Sequence, residues 1–471
     1  GPDRTAPSGA TPSPEPTTAP GPAAPSEANP SSEPTAAPPA AGASPPPGAG
    51  EAPAPQWQRL PQALVEAILE GRPAVVTALA IAVAMVVGGV LIAFSDPVVL
   101  HAWSLFFSAP GNAIAQAWDS AAAAYSAMFE GAIFNPHTVT AIFQQASLST
   151  ALHDGYVSAV FAPLSNTAVY ATPLILTGLS VAVAFRAGLF NIGAAGQWIG
   201  GAIVATWLGF AVSLPPVVHV VVCVLGGLIG GAAIGWVAGV LKARTGAHEV
   251  IVTIMFNYVM YNLLSFLLGT PTALQLPHQA NLQSPDIAQD ARLPHIAGPT
   301  LRVNAGFLLA LAAAVAVWWL LSRSTAGFEF RAVGANPSAA RSAGMSVERT
   351  WILTMLIAGG LAGLAGSAVI QGTDYYLTFQ SYGTYGFDGI TVALLGRAKP
   401  LGVVLAALLF GALHAGGVQM GAANQIPVDV VTVIQSLIVL FVAAPPMIRA
   451  LFRLRAARAP GVEAVAKGWN A

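Results

Sequence analysis

Charge is what this 471-residue chain lacks most. Lys, Arg, Asp and Glu together make up 8% of it, against about a quarter of an ordinary soluble domain. So little charge cannot cover a water-soluble surface. The 19 basic and 20 acidic residues nearly cancel, which excludes a nucleic-acid binder acting through bulk electrostatics. Cys223 is the single cysteine and sits in an apolar run, so a disulfide framework and a cysteine metal cluster both drop out. The sequence G-x-x-x-x-G-K-[ST] does not occur, so nucleotide hydrolysis by that phosphate-cradling loop is excluded and the chain is not expected to be an enzyme. The eight histidines show no metal-ligand spacing, so no metal and no cofactor is expected. What the chain has instead is apolar mass, 55% hydrophobic residues with 48 glycines, and that identifies a multi-spanning membrane protein.

Residues 1–56 hold 17 of the 37 prolines and no Leu, Ile, Val, Met, Phe, Trp or Tyr. Nothing there offsets the entropy of ordering, so the segment reads as a disordered cytoplasmic tail, and its Gly1-Pro2 start reads as the remnant of a protease site. The remaining 415 residues allow about ten spans. Hydropathy places them near 74–94, 168–185, 195–213, 217–241, 250–268, 306–321, 351–370, 382–396, 400–416 and 428–445. Residues 57–94 are then a lead-in and first span, 95–167 an extracytoplasmic or interfacial region, 168–446 the core, and 447–471 a basic cytoplasmic C-terminus. Lys and Arg at 186, 242, 244, 323, 331, 341, 349, 397 and 399 and in the 449–458 cluster fall on alternate connections, which puts both termini inside. Arg292 and Arg302, in the outer loop, are the exceptions.

No span drawn this way holds a charge at its middle, so an internal proton or sodium coupling site is not evident. The largest inner connection, 322–350, contains a punctuated segment. Asn336 fits an N-cap, Pro337 the first helical position, Arg341 the interior and Gly344 a left-handed C-terminal cap, which predicts a rigid two-turn peg. It serves either as a docking element that transmits motion or as an ordinary surface turn.

Four ordered blocks carry a resemblance. They are Phe185-Arg-Ala-Gly-Leu-Phe-Asn191-Ile-Gly-Ala-Ala-Gly-Gln197, Gly246-Ala-His-Glu249-Val-Ile-Val-Thr-Ile-Met-Phe-Asn257-Tyr, the peg, and Gly386-Phe-Asp388-Gly-Ile-Thr391-Val-Ala-Leu-Leu-Gly396. From about Ala171 to Pro446 the chain resembles the permease subunits of bacterial ABC importers, nearest to the nucleoside group in the superfamily of ribose and branched-chain amino-acid permeases. His248 and Ala195 depart from the pattern, where Asn and an acidic residue are usual. The resemblance implies an all-α polytopic fold in the bacterial inner membrane. It also implies a second homologous permease, an ABC ATPase subunit docked through the peg, and an extracytoplasmic substrate-binding lipoprotein.

Within the bilayer, Asn191 and Gln197 stand among Gly193 and Gly196 and suggest a broken helix; they either line a path or bond neighbouring helices, and Asn257 has the same two readings. Phe387, Asp388 and Thr391 begin the short span, with Tyr375, Tyr376, Tyr382 and Tyr385 just before it on the outer side. The aromatics form either an interfacial belt or faces for a nucleobase, and Asp388 either meets a ribose hydroxyl or caps the half-helix. Gly227, Gly231, Gly235 and Gly239, with Gly359 and Gly363, predict close helix packing. The expected function is half of a translocation path for nucleosides. A simple-sugar permease is the alternative, and a secondary transporter a more distant one.

Overall fold

The computed structural model describes residues 73–143, 156–270, 274–275, 282–298, 300–427, 429–444, 447 and 451–452. The expectations for the 1–56 tail and for the basic cluster at 449–458 lie outside the described residues. Regular structure among the described residues is helical, as the composition requires. The helices are α1 (Pro73–Ser95), α2 (Pro97–Ser104), α3 (Pro110–Ala132), α4 (Pro136–Phe143), α5 (Tyr156–Arg186), α6 (Ala194–Ala211), α7 (Pro216–Thr245) and α8 (Glu249–Gly269). After the outer loop come α9 (Ala305–Arg323), α10 (Thr325–Ala335), α11 (Pro337–Ser342), α12 (Val347–Val369), α13 (Tyr385–Leu395), α14 (Pro400–Asn424) and α15 (Asp429–Ala443).

Seven of these are long and apolar enough to cross a bilayer, namely α1, α5, α7, α8, α9, α12 with the π-turn that follows it, and α14. The chain is therefore a multi-pass membrane protein. At 11 residues, α13 is about 16 Å long, roughly half a hydrocarbon core. It is a half-helix, the short span that hydropathy places at 382–396.

The glycine spacing becomes a seam. A β-carbon on Gly231 of α7 would lie 2.3 Å from the Gly359 carbonyl oxygen of α12, and one on Gly235 would lie 2.1 Å from that of Met355. Only hydrogen fits there, so the two backbones touch along several turns. Around the seam, α5 is buried along most of its length and carries the core residues Leu174, Ile175, Leu176 and Leu179.

Two regions add detail to the boundaries drawn from hydropathy. Helix α5 begins at Tyr156, well before 168, and runs through Pro163 and Pro173. Helix α3 packs on the main helical body: Gly416 of α14 meets the Met128 backbone, the Tyr125 hydroxyl donates to the Met85 carbonyl, and Ala113, Ala124, Ala127 and Met128 are buried.

Candidate functional site

The chain leaves α5 at Arg186 and does not resume a helix until Ala194. Gly188 takes φ +71, turning the backbone into this unwound stretch. Asn191 and Gln197 are fully buried there and face each other: Asn191 Nδ2 donates to Gln197 Oε1 at 2.8 Å, and Gln197 Nε2 returns a bond to Asn191 Oδ1 at 3.1 Å. Asn191 Oδ1 also accepts from Gly193 N at 3.1 Å, and its Nδ2 reaches Ser180 Oγ at 3.2 Å. The pair is thus an internal lock on the unwound segment, with its polar atoms turned inward. Asn257 of α8 completes it, donating to the Ile192 carbonyl at 2.9 Å and accepting from Gly196 N at 2.8 Å. A side chain on one helix replaces the backbone partners that another lost by breaking.

Helix α13 starts against the start of α6. A β-carbon on Gly386 would lie 2.5 Å from the Ala195 backbone, and one on Gly389 would strike Thr177, partway along α5. Two helix N-termini therefore meet at one level, α6 running from there to the outer loop and α13 to the inner end, where the Ala398 carbonyl accepts from Arg186 Nε at 3.0 Å. Neither N-terminus has a side-chain cap at its N-cap residue, Gly193 or Thr384. Asp388 instead accepts the Thr384 hydroxyl at 2.5 Å, so it caps through neither of the helix's first N–H groups. Phe387 is 56% exposed, Thr391 half-buried with its hydroxyl on the Asp388 carbonyl, and Tyr385 lies against the buried Trp198 at 6.4 Å. These residues share a neighbourhood. Asn191 and Gln197 lie behind it.

Outward of that meeting point, Tyr382 joins an aromatic cluster with two residues that the sequence does not single out, Tyr261 and Phe379. Tyr261 of α8 is 4.4 Å from Phe379 and 5.9 Å from Tyr382, edge to face, joining α8 to the loop that descends into α13. The adjacent Tyr375 holds Arg292 over its ring at 4.3 Å, which gives one of the two exceptional outer arginines a cation–π partner.

On the inner side, Asn336 Oδ1 accepts from Ser338 N and Ala339 N, both at 3.0 Å, and Gly344 has φ +84 with Met345 N bonded back to the Ala340 carbonyl. Pro337 opens α11 at its first turn. Arg341 is braced within the chain, its guanidinium 2.6 Å from Glu348 in the first turn of α12. Beneath it, Ala340 is buried with Val333 and Val347. The connection also holds a second helix, α10, that the reading of 322–350 as one short peg did not include. Its end touches the break directly: a β-carbon on Gly334 would lie 2.4 Å from the Arg186 carbonyl oxygen and 2.9 Å from Gly188 N. Nearby, Lys242 at the end of α7 pairs with Glu249 at 2.8 Å and lies over Trp351 of α12.

A family described as "Branched-chain amino acid transport system / permease component" matches residues 164–443. The guanosine ABC transporter permease protein NupP of Bacillus subtilis is 39% identical over 314 residues, 65% of this chain and 88% of that one. The nucleoside ABC transporter permease protein NupB of Lactococcus lactis is 38% identical over 58% of this chain and 76% of its own. The glucose ABC transporter permease protein TsgB13 of Haloferax volcanii is 37% identical over 59% and 75% respectively. No solved structure matches the chain.

Proposed function

The chain belongs to the branched-chain amino acid transport system permease family, and on that premise we propose that it is one transmembrane half of an ATP-driven importer in the cell membrane, with a nucleoside as cargo. Energy comes from a partner ATPase seated on the α10–α11 peg, the second half of the path from a homologous permease, and cargo from an extracytoplasmic binding lipoprotein. The path-lining candidates of this chain are Tyr385, Phe387, Asp388 and Thr391, with Asn257 at its edge; Asn191 and Gln197 hold the break in shape.

One observation carries the coupling half of this reading: the glycine backbone that ends α10, two residues before the peg's cap, rests on the turn that opens the unwound segment. Any displacement of the peg by an ATPase is delivered to Arg186–Gly188, because a contact between backbones has no side chain to absorb it. Identity does not separate the cargoes, since a guanosine-named and a glucose-named relative differ by two percentage points. The aromatic faces of Tyr261, Phe379, Tyr382 and Phe387 favour a planar base over a sugar alone. In proteoliposomes containing all partners, labelled guanosine or adenosine should accumulate with ATP, and excess glucose or ribose should compete poorly. Equal competition by either sugar would make this a sugar permease.

A further inference from the structure

Helix α8 differs from the helices that flank it in sequence. The outward faces of α7 and α9 within the span are apolar, with Val217, Val221, Leu225, Ile229 and Trp236 on one and Leu308, Val315, Trp318 and Trp319 on the other. Helix α8 exposes Tyr258, 62% accessible, and Asn262 at its middle. Asn262 Nδ2 reaches only the Tyr258 carbonyl of its own helix, at 2.7 Å, and among the described residues its Oδ1 and the Tyr258 hydroxyl have no partner. Helical spacing adds Asn257, Tyr261 and Ser265 to the same side, while Val259, Leu263 and Phe266 form a separate apolar side. The polar side begins at Asn257, on the meeting point of α6 and α13, and reaches the Tyr261–Phe379–Tyr382 cluster.

Lipid cannot satisfy an amide oxygen and a phenol at that depth, because hydrocarbon offers no donors or acceptors. We propose that the Tyr258–Tyr261–Asn262–Ser265 side of α8 is a wall of the aqueous path, contacting a neutral solute that has both an aromatic face and hydroxyl groups. Asn262 offers an acceptor and a donor to hydroxyls, and Tyr258 and Tyr261 offer rings to a base. The assignment of cargo class rests on the nucleoside reading above; the assignment of the wall rests on the polarity of the helix alone.

The test uses the assembled importer in membrane vesicles. The buried Cys223 is first replaced in a Cys223→Ala background, and single cysteines are then placed as Tyr258→Cys, Asn262→Cys, Val259→Cys and Leu263→Cys. A charged, membrane-impermeant methanethiosulfonate should label positions 258 and 262, in the nucleotide-free or the ATP-trapped state, and spare 259 and 263. Failure to label 258 and 262 in both states, or equal labelling of all four, overturns the proposal. Asn262→Leu should slow nucleoside uptake roughly tenfold, the worth of about one hydrogen bond to cargo in transit, with the amount of assembled complex unchanged. Unchanged uptake would assign this side to lipid, and loss of the second permease on purification would assign it to a subunit interface; either overturns the wall. Face-selective labelling that no nucleoside blocks would uphold the wall and defeat the cargo reading.

Discussion

Two of the glycine contacts in this molecule, the one between α7 and α12 and the one at the inner end, serve opposite ends. Along α7 and α12 the glycines recur every fourth residue, and their contacts repeat over several turns, as between Gly231 and Gly359 or Gly235 and Met355. At the inner end a lone pair, Gly188 and Gly334, meets between the start of a helix break and the end of α10. The repeated contact fixes two long helices as one block, since displacing any turn strains all of them. The lone contact joins two elements at a single point, so it can pass a displacement onward. Close packing thus makes either a rigid block or a joint, according to how many turns share it.

The comparison breaks most visibly at the seam. Gly231→Leu forces a side chain into a site with backbone at 2.3 Å and should cost more than about 3 kcal/mol, the upper range for overpacking. Folded protein in the membrane fraction should fall to near background; normal yields would mean that the seam is looser than its distances imply. Gly344→Val is a local insult by contrast. A β-carbon there meets nothing within 4 Å, so the expected cost, about 1–2 kcal/mol, is that of the left-handed backbone alone. Insertion should be normal and uptake reduced, measured against the amount of complex. Asn336→Ala removes the two cap bonds for about 1 kcal/mol and should reduce uptake less. Arg341→Glu should be the mildest for stability, because its ion pair with Glu348 is exposed and screened by solvent. Thermal unfolding of the purified chain would check this, and a collapse in melting temperature would mean that the brace holds far more than the peg.

The seam and the peg were legible in the sequence for the same reason: each is a local pattern. A four-residue glycine period and an Asn-Pro start with a glycine stop specify geometry within a few turns of chain. The joint was not legible. Gly188 and Gly334 are ordinary glycines at helix ends, and only the fold puts them together. Asn191 and Gln197 were visible as polar residues among glycines, but polarity does not say whether an amide faces a path or another amide; here six residues of chain let the two close on each other. Tyr261 reads as one more aromatic in an apolar helix until the loop carrying Phe379 and Tyr382 descends onto it. Helix α5 starts ahead of the hydropathy boundary, its early turns carrying Ser165, Asn166 and Thr167 among the apolar residues.

If force enters the break through the Gly334 joint, Gly334→Ala should uncouple it. One methyl group there must push against the Arg186 carbonyl and Gly188 N while leaving α11 and the seam unaltered. ATP hydrolysis and nucleoside uptake would be measured together on the reconstituted complex, normalised to the ATPase retained on purification. The ATPase should stay bound and hydrolysis continue while uptake falls roughly tenfold or more, as expected when a transmitting contact is misplaced by a fraction of an ångström. Hydrolysis and uptake both at the level of the unaltered complex would contradict it, and would place the entry of force elsewhere in the inner face.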